Sequence, residues 1–376
     1  MLRFIALFVL TAFVSIPARA ESVIDTAAKQ AIVVDYETGT VLFEKNADEK
    51  MPTSSMSKVM TMYMVFDALK KGQLGLENQL MVSERAWKME GSKMFIEVGK
   101  QIKVEDLIRG VIVQSGNDAT VVLAEGMSGS EDVFAHNMTE KAHSIGMTNS
   151  NFTNSNGMPD PNHYSTARDL ATMAKTLIRE FPEYYKYYSE KEFTYNTIKQ
   201  GNRNPLLYLN IGADGVKTGH TEAAGFGLIG SGVSPTGRRV IFVLNGMKDE
   251  KERAQEGAKI LEWGLKNFEN KKLFKEGDTV AQAKVAMGQA RSVPLIVKNS
   301  LLATVPATAV NNFKVTANFK EPLVAPVAEG QEVGTITVDV PTGEQMKFPL
   351  YAGQAVPKLG AFAGMLEKAR MMLTGS

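Results

Sequence analysis

Three short groups of residues carry side chains suited to acyl chemistry. Ser55 and Lys58 stand three positions apart in Ser55-Met56-Ser57-Lys58. Residues i and i+3 share a helix face, so a hydroxyl and an amine point into the same space. At the first turn of a helix the serine also lies beside unpaired backbone N–H groups at the positive end of the dipole, where a developing oxyanion is stabilised. A lysine with its ordinary pKa of about 10.4 is almost fully protonated at neutral pH. To act as a base, Lys58 needs burial or a neighbouring cation that lowers its pKa by about three units, roughly 4 kcal/mol of differential interaction. Taken alone, the same four residues equally describe an N-cap serine followed by a solvated lysine.

The second group, Ser115-Gly116-Asn117, offers a hydroxyl and a carboxamide from a loop between two apolar runs; an N-cap with a turn glycine is its plainer reading. The third, Lys217-Thr218-Gly219, sets a cation beside a hydroxyl on what reads as an edge strand. That pair makes a receptor for a carboxylate, and Gly219 lets a substrate backbone approach closely.

These groups must be held by a mixed architecture. Residues 30–36 and 40–44 are β-branched runs around the turn signal Glu37-Thr38-Gly39, a hairpin. Helical spacing covers 55–70, 104–113, 117–127, 165–180 and 250–268, and 239–244 reads as a buried strand. An antiparallel sheet flanked by helices, an α+β fold, fits this order. From about Lys272 short alternating runs separated by Gly and Pro (278–285, 292–297, 302–305, 313–319, 335–340, 345–350) read as a small all-β domain. The expected boundaries are a leader at 1–20, a catalytic domain at 21–270, the β domain at 271–355 and a terminal helix at 356–376.

The 376 residues carry 42 Lys plus Arg against 41 Asp plus Glu and no Cys. Length allows about two domains. The charge balance gives no footprint for nucleic acid, and without thiols covalent chemistry falls to oxygen or nitrogen nucleophiles. Arg3, the apolar stretch 4–16 and Ala18-Arg19-Ala20 form a secretory signal peptide, too short to span a membrane as an anchor. An exported, periplasmic protein is expected.

The three groups in this order resemble the penicilloyl serine transferases, and among them the low-molecular-mass penicillin-binding proteins that act as D-alanyl-D-alanine carboxypeptidases. Supporting segments are Gly91-Ser92-Lys93-Met94-Phe95, Asn156-Gly157, and His163 through Asp169. The resemblance implies a transpeptidase-like fold and a substrate class, peptidoglycan stem peptides ending in D-Ala-D-Ala, with β-lactams as covalent inhibitors and no cofactor. It casts Ser55 as nucleophile, Lys58 as its base and Ser115 as a proton relay to the leaving D-alanine. Asn117 would hold the substrate amide or Lys58. Lys217 and Thr218 would bind the terminal carboxylate, Lys217 also serving as a cation near Lys58. The backbone N–H groups of Ser55 and His220 would form the oxyanion hole. Arg253 is either a further carboxylate contact or a surface helix arginine.

Gly116 stands where the β-lactamase motif has Asp, as is common in the carboxypeptidases, and no counterpart of the β-lactamase deacylating Glu is evident. β-Lactam turnover should therefore be slow. D,D-Endopeptidase or weak β-lactamase activity from the same site, and a non-catalytic wall-binding protein, are the competing readings.

The remaining features call for less. His136 and His143 lack the carboxylate support of a zinc site, and Met60, Met62 and Met64 scatter around a helix as core residues do. At the C-terminus, Leu359, Phe362, Met365, Leu366, Ala369, Met372 and Leu373 share one helical arc, with Glu367 and Lys368 opposite and Arg370 at the rim. Such a helix lies in a membrane interface or packs on its own β domain.

Overall fold

The computed structural model of the protein describes residues 24–309, 314–339 and 345–374. The candidate export signal, 1–20, lies outside the described residues.

The chain opens with the expected hairpin, β1 (Gln30–Asp35) and β2 (Val41–Lys45), whose turn is closed by Asp35 accepting the N–H groups of Glu37 and Thr38. Four long helices follow: α1 (Lys58–Lys70), α2 (Val104–Ile112), α3 (Asn117–Ser128) and α4 (Glu131–Ser144). Next come α5 (Ala167–Glu180), capped by Thr166, and three consecutive strands, β3 (Ala213–Thr221), β4 (Gly225–Val233) and β5 (Arg239–Met247). The strands form one antiparallel sheet in the order β2-β1-β5-β4-β3, which leaves β3 at an edge.

Strand alternation explains how this sheet is covered on both faces. Ile32, Val34, Ile241 and Val243 point into the large core shared with α1 and α5. Their neighbours Ala31, Val33, Val240, Phe242 and Leu244 point the other way, onto Ile260 and Leu261 of α6 (Glu250–Lys266). Met60 and Met62 are buried in the first core.

Sequence spacing carries α6 to Phe268, but the helix ends at Lys266 and Phe268–Phe274 is a strand, β6. Phe268 still packs on the helix end, its ring meeting that of Trp263 edge to face with centroids 5.0 Å apart. Beyond it the backbone pairs with β9 (Leu301–Pro306) instead of continuing the helix. The rest of the second domain comprises β7 (Thr279–Ala286), β8 (Ser292–Ile296), β10 (Lys314–Phe319), β11 (Leu323–Val324), β12 (Glu332–Asp339) and β13 (Gln345–Ala352). They form a six-stranded sheet, β10-β12-β13-β8-β7-β11, over a core including Val293, Leu295, Ile336 and Leu350. The β domain joins at the β1–β2 turn, where Asn270 donates to Asp35 (3.1 Å) and the Thr38 and Thr304 hydroxyls meet at 2.5 Å. The strand bearing Lys217 and Thr218 is at the opposite edge of the sheet.

The terminal helix, α7 (Ala361–Thr374), starts five residues later than the expected boundary at 356, because Leu359 N–H donates to Met287 O and holds the preceding segment extended. Phe362 and Met372 on it are 75% and 85% exposed. Among the described residues no helix is long and apolar enough to cross a membrane.

Candidate active site

Ser55 is presented by a 3-10 turn, Ser54–Ser57, which runs into α1 at Lys58; it is not in the first α-helical turn that the spacing suggests. The tighter turn follows from Ser54, whose φ of 44° breaks the helix one residue before the nucleophile. Two glycines make room for it. A Cβ on Gly157 would lie 1.8 Å from Ser54 O, and one on Gly219 would lie 2.5 Å from Ser54 Oγ. The turn is braced from within. Thr53 Oγ1 and Ser57 Oγ are 2.5 Å apart, and Ser57 Oγ is 2.7 Å from His163 Nε2.

Lys58 is fully buried, and its Nζ has three neighbours: Ser55 Oγ at 2.8 Å, Asn117 Oδ1 at 2.7 Å and Asn156 O at 2.8 Å. The two carbonyl oxygens can only accept, so they take both N–H bonds of a neutral amine. Its lone pair is left for the Ser55 hydroxyl to donate to. Burial lowers the Lys58 pKa to about 7, helped by the charge of Arg203 and opposed by Asp118 and Glu131. Burial is therefore the first cause and Arg203 an added cation, while Lys58 and Lys217 repel each other as neighbouring cations.

The second group sits between α2 and α3. Asn117 is a bridge: its Oδ1 accepts from Lys58, and its Nδ2 donates to Glu90 O at 2.7 Å. Asp118 accepts from the N–H groups of Met94 (2.8 Å) and Phe95 (3.0 Å), tying the 91–96 segment to the start of α3. This explains Gly116. A Cβ there would meet Asp118 Oδ1 at 2.8 Å and Met94 N at 3.1 Å. Ser115, at φ 59°, accepts from Lys217 Nζ at 3.0 Å, so the second and third groups are joined directly.

Lys217 and Thr218 are both buried on edge strand β3. Burial, together with repulsion from Lys58, Arg203 and Arg253, holds the Lys217 ammonium well below the ordinary lysine range. An incoming carboxylate offsets both burial and repulsion by pairing with the ammonium. Arg253 is buried on α6, not a surface arginine, and its Nε has no partner. His220 is exposed and stacks on Phe226, with centroids 3.8 Å apart. The site thus gathers Ser55, Lys58, Ser115, Asn117, Lys217, Thr218 and Gly219.

Arg203, which donates to Ser92 Oγ at 2.5 Å, was not singled out by sequence. It lies in a polar turn with no motif around it; only its charge could have flagged it. The pairs that sequence leaves aside stay outside the site: His136 sits 3.4 Å from Glu140, and His143 Nε2 is 2.9 Å from Ser150 O.

A half-buried serine on a buried lysine, a polar bridge and a cationic receptor on a sheet edge define a serine acyl-transfer enzyme. Residues 17–248 match the D-alanyl-D-alanine carboxypeptidase family, and residues 268–358 match the C-terminal domain of penicillin-binding protein 5. The chain belongs to that carboxypeptidase family. It is 40% identical to the D-alanyl-D-alanine carboxypeptidase DacA of Haemophilus influenzae, over 82% of this chain and 80% of the relative. It is 38% identical to the D-alanyl-D-alanine carboxypeptidase DacC of Escherichia coli, over 96% of this chain and 91% of the relative. Its fold superposes with a TM-score of 0.83 on penicillin binding protein 5 from Haemophilus influenzae, 38% identical, covering 89% of this chain and 98% of that one.

Proposed function

We propose that the protein is a serine D,D-carboxypeptidase that removes the terminal D-alanine from peptidoglycan stem peptides. The hydrogen-bond inventory of Lys58 carries this reading: two obligate acceptors leave its lone pair for Ser55. Lys217 and Thr218 hold the terminal carboxylate, with Arg253 adding positive charge behind Lys217. Ser55 Oγ attacks the carbonyl carbon of the penultimate D-alanine as its proton passes to Lys58 Nζ. The backbone N–H groups of Ser55 and His220 receive the oxyanion. Collapse breaks the C–N bond, and the proton reaches the departing D-alanine amine through Ser115. Water then cleaves the ester and regenerates Ser55.

β-Lactams enter the same sequence, because their strained amide stands in for the D-Ala-D-Ala bond. The protein is exported and works on the periplasmic side of the cytoplasmic membrane. There α7 lies in the interface, with Phe362, Met365, Leu366 and Met372 toward the lipid and Lys368 and Arg370 toward anionic headgroups. The exposure of those four apolar side chains favours this over packing on the β domain.

Fluorescent penicillin labels the wild type but not Ser55→Ala, and a pentapeptide ending in D-Ala-D-Ala yields free D-alanine. No adduct, or cleavage only of cross-linked dimers, defeats the proposal. Deleting residues 361–376 releases the protein from membranes while soluble-peptide activity persists; unchanged retention defeats the anchor.

A further inference from the structure

Beside the nucleophile turn lies a cavity of about 560 Å³ that shares no residue with the Lys58 or Lys217 contacts. Thr53 and Ser54 form one end, Thr221 borders it at the end of β3, and Met51, Met158, Pro159 and Pro161 supply apolar wall. Two charged residues line it, Lys50 and Asp160. The Lys50 ammonium is held 4.3 Å from the centre of the Tyr164 ring, which is also part of the wall.

The edge position of β3 says which part of a substrate reaches this cavity. An unpaired strand edge takes up an extended peptide as an added strand, advancing about 3.4 Å per residue when antiparallel. With the terminal carboxylate at Lys217 and Thr218 and the scissile bond at Ser55, the peptide passes Gly219. The residue before the two D-alanines arrives at the His220–Thr221 end, where the cavity opens. In a stem peptide that residue is a diamino acid. Its methylenes match the apolar wall.

The far end of its side chain then meets one cation and one anion. We propose that this cavity is a specificity subsite for a diamino acid whose far end is itself zwitterionic, as in diaminopimelate, with Lys50 taking the distal carboxylate and Asp160 the distal ammonium. A lysine side chain would satisfy Asp160 alone and would set its ammonium against that of Lys50. This inference rests on the carboxypeptidase reading above.

Its test compares D-alanine release from three soluble peptides ending in D-Ala-D-Ala: one with meso-diaminopimelate carrying its free distal centre, one with the distal carboxylate amidated, and one with L-lysine. The wild type should favour the first by about tenfold in kcat/KM over the other two, and Lys50→Met should bring the ratio to within about twofold. Equal efficiency on all three in the wild type, or a ratio untouched by Lys50→Met, overturns the subsite alone. No D-alanine from any of them overturns the carboxypeptidase reading instead.

Discussion

His163 Nε2 lies 2.7 Å from Ser57 Oγ, and the direction of that hydrogen bond is fixed from the far side of the ring. Thr153 N–H donates to His163 Nδ1 at 3.2 Å, so Nδ1 is unprotonated and Nε2–H donates to Ser57. The Ser57 and Thr53 hydroxyls share the next hydrogen bond, and a buried chain of three side chains clamps the turn that carries Ser55. Burial first, then the nearby charge of Lys58, lowers the His163 pKa to about 4 against the pull of Asp160.

A folded-state pKa below the unfolded one makes the unfolded chain bind more protons between pH 6.5 and 4. Stability contributed by neutral His163 is present above pH 6.5 and is lost as pH falls through that window, by about 3 kcal/mol at most. Urea midpoints at pH 7.5 and 4.5 should converge in His163→Phe relative to the wild type. The same variant should acylate with penicillin at least tenfold more slowly. Adding Ser57→Ala to it should cost nothing further, because both substitutions open one chain; additive losses would contradict the clamp.

The pH dependence of acylation should follow the two lysines. Lys58 acts as a base only when neutral, so the penicillin acylation rate constant should rise through about pH 7. Lys217 receives the carboxylate only when charged, and its lowered pKa should bring the alkaline fall below the ordinary lysine range. Lys58→Ala should lose about 10² to 10⁴ of the rate. Stopped-flow acylation across pH 5 to 10 checks both limbs, and a flat profile would contradict Lys58 as base.

Much of this site was legible because it is local. The i, i+3 relation of Ser55 and Lys58, the turn glycine of Ser115-Gly116-Asn117 and the edge-strand pair Lys217-Thr218 each follow from spacing within a few residues. What escaped was long-range. The third partner of Lys58 is the backbone oxygen of Asn156, 98 positions away, and a main-chain carbonyl leaves no trace in residue type. Arg203 acts on Lys58 through space, from a turn without pattern. Asn117 was open between substrate and Lys58; in this structure its carboxamide is committed to Lys58 and Glu90. The spacing predicts an α-helix where the chain makes a 3-10 turn, because one positive φ at Ser54 is invisible in an apolar period. Strand β6 was lost for a similar reason, Phe268 serving the helix in front of it and the sheet behind it.

Gly157 and Gly116 differ in how much substitution each tolerates. Gly157 has φ 83° and its Cβ would overlap Ser54 O, an atom of the backbone that cannot rotate aside. Gly157→Ala should therefore cost more than about 3 kcal/mol and abolish labelling by distorting the nucleophile turn. Gly116→Ala meets the Asp118 side chain at 2.8 Å and backbone only at 3.1 Å (Met94 N) and 3.3 Å (Gly110 O), so small shifts should accommodate it, with a Tm lowered by a few degrees and slower acylation through displacement of Asn117. Thermal melts with gel-based penicillin labelling would show whether the two variants separate in this way.

Arg203 supplies the last prediction. It touches neither Ser55 nor Lys58, yet its charge lowers the pKa of Lys58 and of Lys217 from a position fixed by Ser92. Removing the charge makes protonated Lys58 less unfavourable, so its pKa rises and less free base remains at neutral pH. Arg203→Gln should move the acid limb of the acylation profile to higher pH, slow the reaction at pH 7 and spare it near pH 9. Arg203→Lys, which keeps the charge, should retain most of the wild-type profile. A uniform loss at every pH in Arg203→Gln would point instead to the lost Ser92 contact and a displaced 91–96 segment, and would remove Arg203 from the electrostatics of the base.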